Sequence, residues 1–191
     1  EWGNVCPGWS FSDCLPYFKK LENWTNDKSD MRGLGGYIDA NFAERNPLAD
    51  KFIMACNDLG FATLRDYNAN DGCGASYLQL STARGFRRGV YEGYLSQALN
   101  RKNLKIMTGA LVHKITFDGN RAKSVIYESN GQLYEVHAKQ EILLSAGAVR
   151  SPQILELSGI GDANLLKQHG IPIVQANSSV GQNLQDHLMV R

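Results

Sequence analysis

Histidine, cysteine, serine and carboxylate side chains do chemistry only when neighbours prepare them. A nucleophile needs a base beside it, a metal needs several ligands at fixed spacing, and a phosphate needs a glycine-rich turn. The four cysteines, Cys6, Cys14, Cys56 and Cys73, form no C-x-x-C and have no paired histidine spacing, so they match no metal pattern. No Ser, Cys or Asp is placed in a triad pattern, and no catalytic residue is assigned within the chain. His113 and His137 alternate with apolar residues, where surface or half-buried partners are expected rather than catalysts. His169 falls in the last turn of a short helix, where a cation suits the dipole. His187 is different: it closes a dense polar cluster, GQNLQDH, after Gly181, Asn183 and Asp186. One further stretch, GAVRSPQILELSGIG at 147–161, joins a small-residue turn to Ser-Pro, an apolar segment and a Gly-x-Gly. That Gly-x-Gly ends a helix instead of opening one, and it lacks the G-x-G-x-x-G spacing of a phosphate loop.

The elements that must hold these residues are legible from their periods. WSFSDCLPYFKKLE at 9–22 reads as a helix capped at Ser10 or Ser12, and a glycine-rich loop, RGLGGY, follows at 32–37. Asn46 as N-cap, Pro47 at the first position and Gly60 as stop bracket a helix with Leu48, Phe52, Ile53, Cys56 and Leu59 at helical spacing. Residues 65–85 are rich in turn formers and read as a long irregular loop; a helix is expected over Val90 to Asn100. From residue 103 the period changes. NLKIMTG is strand-like, and 110–139 reads as a three-stranded antiparallel meander, turned at Asp118-Gly119-Asn120 and Asn130-Gly131. EILLSAG reads as a strand buried on both faces, feeding a helix with Ser151 as N-cap and Pro152 in its first turn. Asp162 caps a second short helix, ANLLKQHG, and IPIV reads as a further strand. The fold class is therefore α/β with mixed α+β elements. The division expected is a helical and loop region at 1–100 and a second region at 101–191 with the meander and a βα unit at 141–161.

Composition excludes some partners. A formal net charge of +1, with basic residues scattered, leaves no electrostatic case for nucleic acid. No apolar run approaches the ~20 residues of a membrane span. An even cysteine count permits disulfides, and two sequons, at Asn23 and Asn177, lean towards a secreted protein. The patterned start at Glu1 and the apolar Leu188-Met189-Val190 near the end suggest an internal piece of a longer chain.

GAVRSPQILELSGIG as a whole resembles a signature of the glucose–methanol–choline (GMC) oxidoreductases: Gly147-Ala148, Ser151-Pro152, Ile154-Leu155, then Ser158 to Gly161. GNVCPGWSFSDCLPYFKKLEN, DYNANDGCGASYLQLSTARGFRRG and VGQNLQDH resemble three further segments of that family, so the likeness covers essentially the whole chain. GLGGY, NPLADKF and STARGFRRG are most similar to its arthropod glucose dehydrogenase-like members, with choline dehydrogenase more distant.

The resemblance implies part of an FAD-binding fold of two or three layers with an incomplete dinucleotide-binding domain. It implies hydride transfer from the CH–OH group of a sugar or other small alcohol to FAD, with electrons passed to a quinone or another acceptor. It places the FAD adenine against the main chain of Val112, close backbone approach at Ala146 and Gly147, and the flavin near Asn183, Leu184, Asp186 and His187. The family's G-x-G-x-x-G fold, first signature and catalytic histidine pair have no counterpart in these residues, so the piece alone is expected to be inactive. A GMC-fold hydroxynitrile lyase and a non-catalytic or truncated paralogue without flavin are the alternatives. Gly89 and Gly93 stand where the family carries Ser or Ala; each costs a helix up to ~1 kcal/mol, which suggests divergence or relaxed constraint.

Overall fold

A computed structural model describes residues 2–69 and 72–188. Asn70 and Asp71 of the long loop, and Met189 to Arg191 of the apolar run near the end, lie outside the described residues. The chain divides into two compact units, Glu1–Lys105 and Ile106–Arg191.

In the first unit a short helix, α1 (Trp2–Val5), precedes α2 (Phe11–Leu21). Ser10 caps α2 through a reciprocal box: its hydroxyl accepts from the Asp13 N–H, and the Asp13 carboxylate accepts from the Ser10 N–H. The sheet that follows has the order β1-β2-β5, with β1 (Glu22–Trp24) parallel to β2 (Ile38–Phe42) and β5 (Gln79–Leu80) antiparallel to it. Between them, α3 (Pro47–Asp58) starts as expected, the Asn46 side chain accepting from the Leu48 N–H at 2.8 Å. It ends in a Schellman arrangement, with Gly60 N–H to Asn57 carbonyl and Phe61 N–H to Cys56 carbonyl.

Residues 65–85 are more ordered than expected. β3 (Ala62–Thr63) pairs with β4 (Gly74–Ala75), and β6 (Thr82–Ala83) turns through Arg84-Gly85, both at positive φ, into β7 (Phe86–Arg87). Strands of two residues leave no alternation to read. The helix expected over 90–100 is a π-helical segment, Tyr91–Leu95, running into a short α4 (Ser96–Ala98). Gly93 is buried there, and a Cβ added to it would lie 2.5 Å from the Tyr37 carbonyl oxygen. That glycine is required by packing, which corrects the reading of relaxed constraint.

The second unit is built on the expected meander, β8 (Leu111–Asp118), β9 (Arg121–Ser129) and β10 (Gln132–His137), in the order β10-β9-β8. A long helix, α5 (Gly147–Leu157), packs on β8. Then β11 (Ile160–Gly161), α6 (Ala163–Gln168) capped by Asp162, and β12 (Gln175–Ala176) parallel to β11 complete it. Ile115, Ile154 and Leu166 are its buried apolar residues.

Four expectations are corrected here. Residues 103–109 and 141–146 form no strand and pair with no described segment. Leu143 is consequently 81% exposed instead of buried on both faces. The strand read at 171–174 is displaced to 175–176, where β11 offers a partner. Ser151 is not the cap of α5. The helix begins at Gly147, so Pro152 lies inside it, and the Ser151 hydroxyl reaches back to accept from the Ala146 N–H at 3.0 Å.

Candidate cofactor site

Every residue singled out for the cofactor lies in the second unit, on three segments. Val112 is on β8, the edge strand of the meander, and is 36% exposed. It faces Tyr127 of β9, and the next paired residue is Lys114 against Ile126, so His113 is a surplus residue in a bulge. The His113 imidazole lies 3.0 Å from the Glu128 carboxylate, and His137 lies 3.8 Å from that of Glu135. Both are strand-surface partners, as their alternation suggested.

Ala146 and Gly147 open α5. Gly147 has φ +86 and is exposed, and a Cβ built on it would meet nothing within 4 Å. No side chain of this unit is obstructed there; the glycine serves the left-handed conformation and leaves open space above the turn. The N-cap residue, Ala146, supplies no capping side chain, and its own N–H is taken by the Ser151 hydroxyl.

Asn183, Leu184, Asp186 and His187 follow in an exposed, irregular segment. Asn183 is left-handed at φ +57, and the hydrogen bonds here are local: Gln185 Nε2 donates to Asn183 Oδ1, and the His187 N–H to Asp186 Oδ1. His169 is the C-cap residue of α6, as its dipole-based reading expected.

Two ties relate these segments to one another, and neither was read from the sequence. The buried Ser158 hydroxyl accepts from the Ile115 N–H at 2.8 Å and donates to the Ile154 carbonyl at 2.5 Å, fixing the end of α5 against β8. The returning chain then lies directly on the glycines after α5. Gly159, at φ +89, accepts from the Val174 and Gln175 N–H groups, and a Cβ on it would lie 2.3 Å from the Pro172 carbonyl oxygen. Gly161 accepts from the Asn177 N–H at 2.8 Å. The second half of GAVRSPQILELSGIG therefore serves chain packing, and its first half is the part left open.

The first unit holds one buried ionic cluster. Arg32, 8% exposed, makes a bidentate contact with Asp66 at 2.7 Å and 2.7 Å and donates to Glu22 at 2.6 Å and to Gln79. Its guanidinium lies 4.0 Å over the Trp24 ring. Burial pushes the Asp66 carboxyl up, but hydrogen bonds from Arg32 and Gln79 outweigh it and hold the group below the ordinary value. Its donors are engaged within the unit, so the cluster acts as a structural clasp between β1, β5 and the long loop. The cysteines are free thiols, and no cluster of metal-binding side chains occurs among the described residues. Among those residues, too, no helix is long and apolar enough to cross a membrane.

Comparison with known proteins agrees with this layout. The model of the GMC oxidoreductase family matches residues 1–189. The chain is 40% identical over 184 residues to the mitochondrial choline dehydrogenase of Homo sapiens, covering 96% of this chain and 31% of that protein. It is 38% identical over 186 residues to the oxygen-dependent choline dehydrogenase of Photobacterium profundum, covering 96% and 33%. An FAD-dependent oxidoreductase from Chaetomium thermophilum superposes with a TM-score of 0.90 at 31% identity, over 97% of this chain and 35% of that one. Pyridoxine 4-oxidase from Mesorbium loti does so with a TM-score of 0.83 at 30% identity, over 92% and 35%. The chain spans about a third of the length of the curated relatives it matches. With the family model matching almost end to end and the fold shared, the chain belongs to the GMC oxidoreductase family.

Proposed function

We propose that the protein is an FAD-dependent oxidoreductase acting on the CH–OH group of a small alcohol, and that these residues form part of its cofactor-binding portion. The observation that carries this is the family match through residues 1–189, supported by 40% identity to a choline dehydrogenase. The residues present fit a dinucleotide. The edge strand at Val112 offers main-chain groups to an adenine. The start of α5 has no N-cap side chain and leaves open space at Gly147, where first-turn N–H groups can meet an anion, while the Ala146 N–H is held by Ser151. Asn183, Leu184, Asp186 and His187 offer an exposed run of polar and backbone groups. When bound, FAD supplies the hydride acceptor; this chain's part is to bind and orient it. The relatives favour a choline-type amino alcohol over a sugar, and the acceptor, quinone or oxygen, is a matter for the assay.

The test is flavin absorbance of the intact protein and its bleaching under anaerobic conditions by choline, glucose or aromatic alcohols. Bleaching by choline supports this reading, and bleaching by glucose alone moves the substrate to sugars. Flavin that no alcohol reduces favours the lyase reading, and absence of flavin refutes the proposal. These 191 residues expressed alone are expected not to retain FAD; stoichiometric flavin in that piece would contradict the division of labour proposed here.

A further inference from the structure

We infer that Glu156 is a positioning residue for the Asn183–His187 segment, an inference that rests on the flavin reading above. Glu156 lies one residue before the end of α5 and is half-buried, with its side chain in a slot left by two glycines. A Cβ added to Gly161 would lie 3.0 Å from Glu156 Cγ, and one added to Gly181 would lie 2.7 Å from its Oε1. The stem thus rests on Gly161 and the carboxylate on Gly181, so one side chain spans both glycine motifs.

The chain between those glycines is held at the Gly161 end. Asn177 donates to the Gly161 carbonyl, the Asn177 side chain accepts from the Ser179 N–H at 3.0 Å, and the Gln182 N–H reaches the Ser179 carbonyl at 3.3 Å. That turn delivers Gly181, at φ +74, onto the Glu156 carboxylate. Beyond it, Asn183 and His187 make local bonds alone among the described residues. Glu156 is therefore the α5 contact that sets the direction in which the segment leaves the unit. An occupied slot fixes that direction; an emptied one frees the segment to move towards α5.

The intact protein with its FAD tests this through E156A, E156Q, G181A and the double variant E156A/G181A. The readouts are FAD affinity of the apoprotein and, at saturating FAD, the flavin absorption spectrum and midpoint potential. E156Q keeps the shape of the side chain and should match wild type in all three. E156A should weaken FAD affinity by about tenfold and shift the spectrum or potential, and G181A should do the same, through the strain of alanine at φ +74 together with its contact against the carboxylate. The double variant should be no worse than G181A alone, because the opposing carboxylate is gone and only the strain at φ +74 remains. Effects that multiply, or an E156A protein with wild-type affinity and spectrum, overturn the positioning role while leaving the flavin reading intact. A wild-type protein without FAD overturns the functional reading, and this inference with it.

Discussion

Replacing Ser158 with alanine tests whether the end of α5 is tied to β8 by one hydroxyl. The hydroxyl serves two partners, but their losses are unequal. The Ile154 carbonyl keeps the Ser158 N–H at 3.1 Å, so it stays satisfied. The Ile115 N–H has no such substitute: its residue is 7% exposed, and alanine leaves the group buried and unpaired. A stranded buried donor costs about 1–3 kcal/mol. About 2 kcal/mol lowers the melting temperature by about 4–8 °C if a unit of 150–250 residues unfolds on its own, and by less if a longer chain unfolds as one. Ser151→Ala is the control. It removes an exposed hydrogen bond to the Ala146 N–H, which water replaces, and should cost no more than about 0.5 kcal/mol. The assay is a thermal melt of the intact protein together with amide exchange at Ile115. If S158A melts with S151A and the Ile115 amide exchanges no faster than in wild type, the tie is not what holds this joint.

Arg32→Met should destabilise the first unit by up to about 3 kcal/mol in a urea melt, because it strands the half-buried Glu22 and Asp66 carboxylates, and Arg32→Lys should fall between. The same cluster sets an acid limb. The folded Asp66 carboxyl lies below its unfolded value, so its stabilisation is present above about pH 4 and is lost as pH falls through the folded value. D66N should flatten that limb in melts taken across the acid range. Gly147→Ala should cost only about 1–2 kcal/mol, since just the positive φ opposes it. Gly159→Ala should cost more than about 3 kcal/mol, because strain at φ +89 adds to a backbone clash with Pro172, and equal melts for the two would contradict this.

What the sequence revealed follows the range of the interactions involved. Caps at Ser10, Asn46 and Asp162 and the turns at Gly119 and Asn130-Gly131 are local chemistry, and they appear where their residues said. Ser151 misled because a serine before a proline looks like a cap, whereas here it serves a backbone group five residues upstream. EILLSAG was read from hydrophobicity alone, yet a strand also needs a partner, and no described strand pairs with it. For the site, residue types drew attention to these motifs, but their division of labour was hidden. Nothing in Gly159-x-Gly161 announces that Pro172 will pass over it, and nothing in Arg32 names Glu22, Asp66 and Gln79 as partners. Long-range contacts leave no periodic trace.

The pairing of β8 with β9 contains a second irregularity besides His113. Thr116 stands opposite Ser124 but Phe117 opposite Ala122, so Lys123 is skipped on the other strand. The two irregularities act like a frameshift and its suppressor. An extra residue on β8 moves the reading frame of the ladder by one, and an extra residue on β9 moves it back before the turn is reached. His113 and Lys123 are the unpaired residues, so deleting either one would remove a bulge and leave every pair facing as before, Val112 against Tyr127 included. A residue deleted from a paired position between Val112 and the turn is what would carry Val112 to the opposite face of the sheet. The bulges thus act as slack in the count: they bend and twist the strand that carries Val112 without setting which face it presents.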